Sequence, residues 1–406
     1  MNETADRLLV DWLAEGPERG PLQSLERALA ATRRTSQRPG WTIPERWIPM
    51  QLTMRPALNP RPYILFLAGL LLIVAAGALF VIGSQRQKAP PFGLAANGSI
   101  VVGVDSELWL VSADGAPAMP LNNAMGKVTS PVFSPDGTKI AFMTRPTVGT
   151  PFALYVANPD GSDAHSVTGG MRVVTPDPVL AGITWSPDGS TLIFGSLDAG
   201  RNRLYTVGVD GRGLGVITGS DADRSWPTWS PDGAWVAYQL KVPDGWSTNL
   251  AIMRADGTGE RVLQSDEVSN ASFAGSQWLN DSSGLAYFKT GHVVARTDLN
   301  GHETILSRPG EDAVNPVISP DDRRVAYGLL TGAAIVDLAD AANRVDIPAG
   351  LAECGAAWAP DATALLGLGT DCRDLFWIPA DDPAAAKAIR LPEGEVTNAT
   401  WQRLAP

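Results

Sequence analysis

Residues 227–238 read PTWSPDGAWVAY, an apolar stretch closing on Trp229, a Ser-Pro-Asp-Gly reversal, and a second apolar stretch leading away. Pro and Gly between two apolar runs mark a tight turn between strands, so this segment predicts a β-hairpin. The pattern returns as PVFSPDGTKIAF from Pro131, ITWSPDGSTLIF from Ile183, SQWLNDSSGLAY from Ser276, PVISPDDRRVAY from Pro316 and AAWAPDATALLG from Ala356. Phe133, Trp185, Trp229, Trp278, Ile318 and Trp358 share one position in it, and Trp401 follows in TNATWQRL, with spacings of 52, 44, 49, 40, 40 and 43 residues. A period of that size belongs to four-stranded propeller blades.

Each unit reads as strands A to D. Strand A ends at the Trp, the Ser-Pro-Asp-Gly turn reverses the chain, and an apolar strand B follows. Strand C is seen in FALYVANPDG, NRLYTVGVDG, TNLAIMRADG and HVVARTDLNG, whose closing Asp160, Asp210, Asp256 and Asn300 each precede a Gly, the strongest short-range hairpin signal. Strand D completes the unit, as in HSVTGG (165–170) and RVLQS (261–265). Strands B and C are nearly continuous apolar runs, as expected of sheets stacked on both faces.

The ends of the array explain each other. SIVVGVD (99–105) is a B-type strand with no A strand ahead of it, and VTNATWQ (396–402) is an A-type strand with no B strand behind it. Pairing the two closes a ring and removes the open edges. The expected fold is all-β: a seven-bladed β-propeller of four-stranded antiparallel blades over residues 98–406. Six blades with one degenerate unit is the alternative count, since the unit at 356–391 lacks the full turn motif. The recurring Trp-Ser-Pro-Asp-Gly turn resembles the TolB-type, WD-like propeller repeat, which is also found in the propellers of prolyl-oligopeptidase-like enzymes. That resemblance implies the propeller fold over the same residues. Residues 84–97 leave no room for the α/β domain that precedes the propeller in TolB, so its lipoprotein partner Pal is not carried over.

The chain has 406 residues, 18% charged, with 41 Gly, 32 Pro, 13 Trp, 2 Cys and a net charge of −11. Abundant Gly, Pro and Trp with few charges excludes a coiled coil or a disordered polyelectrolyte. The acidic balance excludes nucleic acid as a partner, because phosphate binding rests on clustered Lys and Arg.

Tyr63 to Ile82 reads YILFLAGLLLIVAAGALFVI without a charge. As a helix rising about 1.5 Å per residue it spans a hydrocarbon core of about 30 Å. The expected layout is a cytoplasmic helical segment (1–35), a Pro-rich linker (36–61), a single transmembrane helix (62–83), a linker (84–97) and the propeller (98–406). Residues 1–61 hold nine Arg against seven Asp or Glu, which places the N-terminus in the cytoplasm and the propeller outside it. Leu8, Leu9, Trp12 and Leu13 share one side of a first helix, and Leu22, Leu25, Ala28 and Leu29 form a stripe on a second. Two such short helices need each other and a partner or the bilayer surface. This arrangement is similar in outline to membrane-bound anti-sigma regulators, although residues 1–61 contain no Cys or His for the zinc motif of many of them.

Cys354 precedes strand A of the last full unit and Cys372 follows its strand B. If the hairpin turns around Asp361 to Thr363, Trp358 faces Gly367 or Leu368 and the cysteines fall opposite each other, within reach of a cross-strand disulfide. Two unpaired thiols are the alternative. A bridge would persist in an oxidising compartment, in agreement with the orientation above.

Alternation of strands puts the A–B and C–D turns on one face of the disc and the B–C and D–A loops on the other. The second face carries the long connections 145–151, 169–182, 198–203, 220–226 and 241–248, and variable loops on a rigid scaffold are where recognition usually sits. Arg172, Arg201, Asp221, Asp223, Arg224, Trp226, Lys241 and Trp246 are its candidate binding residues. Signs of catalysis are thin: no G-x-S-x-G occurs, and His165, His292 and His302 show no metal-ligand spacing. The Asp-Gly turns lack the dense acidic spacing of a calcium loop. The resulting expectation is a cell-envelope scaffold or receptor that is not an enzyme and holds no metal or cofactor. It would bind an extracytoplasmic protein, peptide or glycan at the loop face. The alternative is a transmembrane signal transducer whose residues 1–35 engage a cytoplasmic protein, and a propeller lyase or glycosidase ranks last.

Overall fold

In the computed structural model of the chain, the described residues are 92–405 except 113–115, 122–126, 146–150, 170, 172, 174–181, 218–221, 243–247 and 269–275. The helical segment, both linkers up to residue 91 and the apolar span at 62–83 lie outside the described residues. Among the described residues no helix is long and apolar enough to cross a membrane.

Seven antiparallel sheets of four strands each follow one another along the chain. Blade 1 is the composite one. The C-terminal strand Val396–Leu404 takes position A beside Ala96–Val104, followed by Glu107–Val111 and Met119–Pro120. Its register sets Ile100 against Trp401, Val101 against Thr400 and Val102 against Ala399. The ring is thus closed by hydrogen bonds between the two ends of the repeat array, which leaves no open sheet between first and last blade. The A strands of blades 2, 3, 5, 6 and 7 are Lys127–Phe133, Ile183–Trp185, Gln277–Trp278, Val314–Ile318 and Gly355–Trp358. Blade 4 runs Arg224–Trp229, Trp235–Lys241, Thr248–Arg254 and Arg261–Val268. The six-bladed alternative therefore falls, and the degenerate unit builds a complete blade 7.

The doubly apolar strands follow from this stacking. Leu192 and Phe194 of blade 3 pack towards blade 2, while Ile193 between them packs towards Val236 and Tyr238 of blade 4. Successive side chains of a strand point to opposite faces, and both faces here meet a neighbouring sheet. A hydrophobic cluster of this kind fills every junction of the ring, blade 7 against blade 1 included.

Three of the repeated tryptophans tie their blade to the one before. Trp185 donates its indole N–H to Val132 O at 3.1 Å, Trp278 to Thr228 O at 3.1 Å, and Trp358 to Val317 O at 2.9 Å. Each acceptor directly precedes the repeat position of the preceding blade. Trp229 and Trp401 differ: they turn their N–H to Gly233 O and Gly98 O within their own blades.

Cys354 and Cys372 form a disulfide with a Cα separation of 5.6 Å. The register expected around it needs correction, because Trp358 faces Leu365 and Gly355 faces Leu368. The hairpin closes earlier, with Ala359 N–H on Ala364 O, and the backbone turn that returns Cys372 N–H to Gly369 O brings its sulfur back to Cys354.

Candidate functional site

The two faces of the disc differ in chemistry. On the turn face, the Asp of each motif is consumed by its own reversal. Ser186 Oγ donates to Asp188 at 2.6 Å while the Ser190 N–H and hydroxyl donate to the same carboxylate oxygen, and the Ser hydroxyl and backbone N–H bonds recur at Asp136, Asp232 and Asp321. The Ser186 hydroxyl, with the Ser190 bonds, holds the Asp188 carboxyl below the usual range. These residues are turn caps. Two of the three histidines are likewise committed: His292 Nδ1, at the loop-face end of blade 5, lies 3.0 Å from Asp312, and His302 Nδ1 lies 2.8 Å from Asp298. Among the described residues no group of three or more His, Cys, Asp or Glu is placed to hold a metal ion.

On the loop face, Arg172, Asp221 and Trp246 lie outside the described residues. The remaining five candidates gather where blade 3 meets blade 4. The connection 198–203 is shorter than expected. Asp198 faces Arg201 across a two-residue turn at Ala199 and Gly200, both at positive φ (49° and 81°). This is the geometry that lets a hairpin reverse without splaying its strands. The turn exposes Arg201 and brings the Asn202 N–H to Asp223 Oδ1 at 2.8 Å. Lys241, its side chain 52% exposed, approaches Asp223 at 3.9 Å, and its N–H donates to Asp223 O. Asp223 therefore links the hairpin of blade 3 to strands A and B of blade 4.

Arg224 is placed differently from the other four. Its side chain is 1% exposed, and its Nε and Nη2 donate to Glu260 Oε2 at 2.9 and 2.5 Å, with Nη1 on Ala222 O. Tyr238 donates to the same carboxylate oxygen at 2.7 Å, and burial, reinforced by that carboxylate, pushes its hydroxyl up. Arg224 is a buried structural cation of the blade junction, with no surface left for a ligand. Neither Glu260 nor Tyr238 was among the sequence candidates. A lone Arg at a strand start carries no periodic signal that would announce burial.

Trp226 carries the sharpest local feature. Strand A of blade 4 has a bulge between Ser225 and Thr228, and Trp226 sits in it at φ 54°, half-buried. The same bulge occurs in blade 2 with Ser130 at φ 56° and in blade 6 with Asn315 at φ 53°. In all three the next residue is proline: Pro131, Pro227 and Pro316. Proline has no N–H for the ladder, and an added residue at a bulge absorbs that loss. Asn accepts left-handed backbone readily and the small Ser fits there without bulk, whereas a bulky aromatic there is a genuine outlier. The bulge itself is thus satisfied by small polar residues, and the choice of Trp in blade 4 has no basis in the turn.

A ring of seven four-stranded blades closed by its C-terminal strand, with capped turns on one face and longer connections on the other, defines the chain as a β-propeller. The PD40 family, TolB beta propeller domain, matches residues 105–360, and the chain belongs to this family. Among curated relatives it is 25% identical over 211 residues to the uncharacterized peptidase YuxL of Bacillus subtilis (strain 168), covering 50% of this chain and 30% of that protein. It is 29% identical over 162 residues to the Tol-Pal system protein TolB of Anaeromyxobacter dehalogenans (strain 2CP-C), covering 39% of this chain and 35% of that one. The chain thus spans about a third of the length of these relatives. Among solved structures, a puromycin hydrolase mutant matches with a TM-score of 0.54 at 15% identity, over 77% of this chain and 55% of that one, a likeness of fold.

The fold fits a protein-binding scaffold, as a TolB-like propeller. The expectation that the chain is not an enzyme is corrected by the peptidase among its relatives. The same scaffold serves binding and hydrolytic proteins, so missing catalytic motifs in a propeller do not exclude hydrolysis.

Proposed function

We propose that the loop face of blades 3 and 4 captures a protein segment or peptide outside the cytoplasm, with the chain tethered to the membrane through residues 62–83. The observation that carries this reading is Trp226. Two sister blades make its bulge with Ser and Asn, so the strain of a left-handed Trp, of order 1–2 kcal/mol, is retained for something other than folding. Amphipathic aromatic side chains dominate recognition surfaces, and Arg201 and Lys241 on the same loop face favour acidic partner segments. Strand Ala96–Val104 is entered from the turn face, where Ala95 N–H bonds Pro360 O, the face opposite the proposed capture site. The Cys354–Cys372 disulfide supports an oxidising compartment.

The test is Trp226→Asn in the full chain, with a photo-crosslinking residue at position 201. Capture of an envelope protein should be lost while thermal stability is unchanged or raised. Undiminished capture by the variant removes the reading. Because a peptidase stands among the relatives, any captured peptide is also assayed for cleavage. A second reading, transduction to a cytoplasmic protein, rests on the Leu8, Leu9, Trp12 and Leu13 stripe. It requires that a protein co-purify with residues 1–61.

A further inference from the structure

The A strands converge on the ring axis around a cavity of ≈ 380 Å³. Its walls include Trp185, Trp229, Trp278, Trp358 and Trp401, and at the turn-face end they include Pro135, Pro231, Pro320 and Pro360 of the hairpin turns. Phe92 lies among these prolines as part of the same lining. It precedes strand Ala96–Val104 and belongs to no blade.

Three bonds hold the segment, each to a different blade. Gly93 N–H donates to Asn280 Oδ1 of blade 5 at 3.3 Å, Arg403 Nη2 of blade 1 donates to Gly93 O at 2.5 Å, and Ala95 N–H donates to Pro360 O of blade 7 at 2.9 Å. Arg403 is itself pulled down to about 10 by burial. Gly93 makes the bend at φ 80°, and Leu94 points outward, exposed. None of these bonds is part of a sheet ladder, so the segment can leave without breaking a blade. Segments with few buried apolar contacts and isolated hydrogen bonds open locally, well below the cost of global unfolding.

We infer that residues 92–95 form a removable strap that seals the turn-face mouth of the axial cavity with Phe92. The strap is the described segment that directly precedes strand Ala96–Val104 of blade 1. Withdrawal uncovers a cavity walled by tryptophan and proline. The strap stands independently of the loop-face reading, since it lies on the opposite face.

Two measurements on the full chain decide it. Hydrogen exchange should show the Gly93 and Ala95 amides exchanging at least about 100-fold faster than that of Ile193 in the centre of blade 3, as local opening requires. Exchange in step with Ile193 would make the segment an integral part of the ring and overturn its removability. Phe92→Ala should raise acrylamide quenching of tryptophan fluorescence above that of the unaltered protein, whereas Leu94→Ala should leave it unchanged. Equal quenching in Phe92→Ala and the unaltered protein overturns the seal. If Phe92→Ala does not fold, the exchange rates of the unaltered protein decide.

Discussion

Arg344 grips Glu311 through two hydrogen bonds, 2.6 and 2.9 Å, in the place where blade 4 sets Glu260 against Arg224, with the charges exchanged. The register makes the correspondence explicit. Tyr238 faces Ala251, which faces Val262, and Glu260 stands two residues ahead. Tyr327 faces Ala334, which faces Asp346, and Arg344 stands two residues ahead. Blade 5 has a third version, with Tyr287 and Lys289 both bonded to Glu303. In each the small Ala of strand C lets the tyrosine reach from strand B to the outermost strand. Blades 2 and 3 use the opposite choice, Phe142 stacked on Tyr155 at 6.0 Å and Phe194 on Tyr205 at 5.8 Å. One junction is thus filled either by paired rings or by a ring, a small residue and an ion pair.

Glu260→Gln should cost about 3 kcal/mol, because it strands a guanidinium that is 1% exposed. Arg224→Met should cost less, since Glu260 keeps contact with water at 34% exposure. Denaturant unfolding of both variants checks the order, and the reverse order would show that Arg224 is not the buried partner.

The indole bonds between blades give a second ranking. Trp185→Phe keeps the ring and forfeits only the bond to Val132 O, about 1 kcal/mol. Trp185→Ala adds a cavity in the junction and should lose about 3–5 kcal/mol. Trp229→Phe should be the mildest change, because its N–H serves only its own turn and its ring is half-buried. Unfolding midpoints of the three proteins test this.

The legible part of the chain was the part that repeats. Trp185, Trp278 and Trp358 at one position, each followed by a turn, are enough to place hairpins, and the unmatched strands at 99–105 and 396–402 are enough to close the ring. Strands such as Met119–Pro120 and Gly215–Val216 are two residues long and carry no pattern of their own. The loop-face residues fared unevenly for the same reason. Asp223 and Lys241 do meet, but the proximity comes from a hairpin of blade 3, and Arg224 looks like its exposed neighbours until Glu260 and Tyr238 are brought to it. The proline shared by PVF, PTW and PVI was visible, yet its meaning as a bulge marker needs the ladder.

His165 joins blades 2 and 3, and its charge state should be felt in stability. Nδ1 lies 3.0 Å from Asp163 O and Nε2 2.9 Å from Val209 O, so only the imidazolium, with both nitrogens donating, satisfies both carbonyls. The bond to Asp163 O, then that to Val209 O, raises its pKa. A raised folded pKa gives stability that is fully present below the unfolded value near 6.5 and is lost as pH rises through the folded one. Melting temperature measured from pH 5 to 8.5 should therefore fall more steeply in the unaltered protein than in His165→Gln. Parallel curves would count against the bridge.

The weight of the ring closure can be read from three glycines that share a backbone conformation. Gly137, Gly189 and Gly257 have φ of 67°, 69° and 83°, so alanine carries a similar left-handed penalty at each, of order 1–2 kcal/mol. At Gly189 an added Cβ meets nothing within 4 Å, which isolates that penalty. At Gly137 it meets Arg403 O of the closing strand at 2.0 Å, and at Gly257 it meets Ile217 O across the junction of blades 3 and 4, also at 2.0 Å. Gly137→Ala pushes on the seam where the two ends of the array are joined, and Gln402 Nε2, which donates to Gly137 O, is displaced with it. Gly257→Ala applies the same push at a junction whose two blades are covalently continuous. Both should exceed Gly189→Ala, and if the closing strand is the first element to part, Gly137→Ala should also expose the amides of Ile100 and Val102 to exchange. Equal exchange there in the Gly137 and Gly257 variants would show that the seam is no weaker than any other junction.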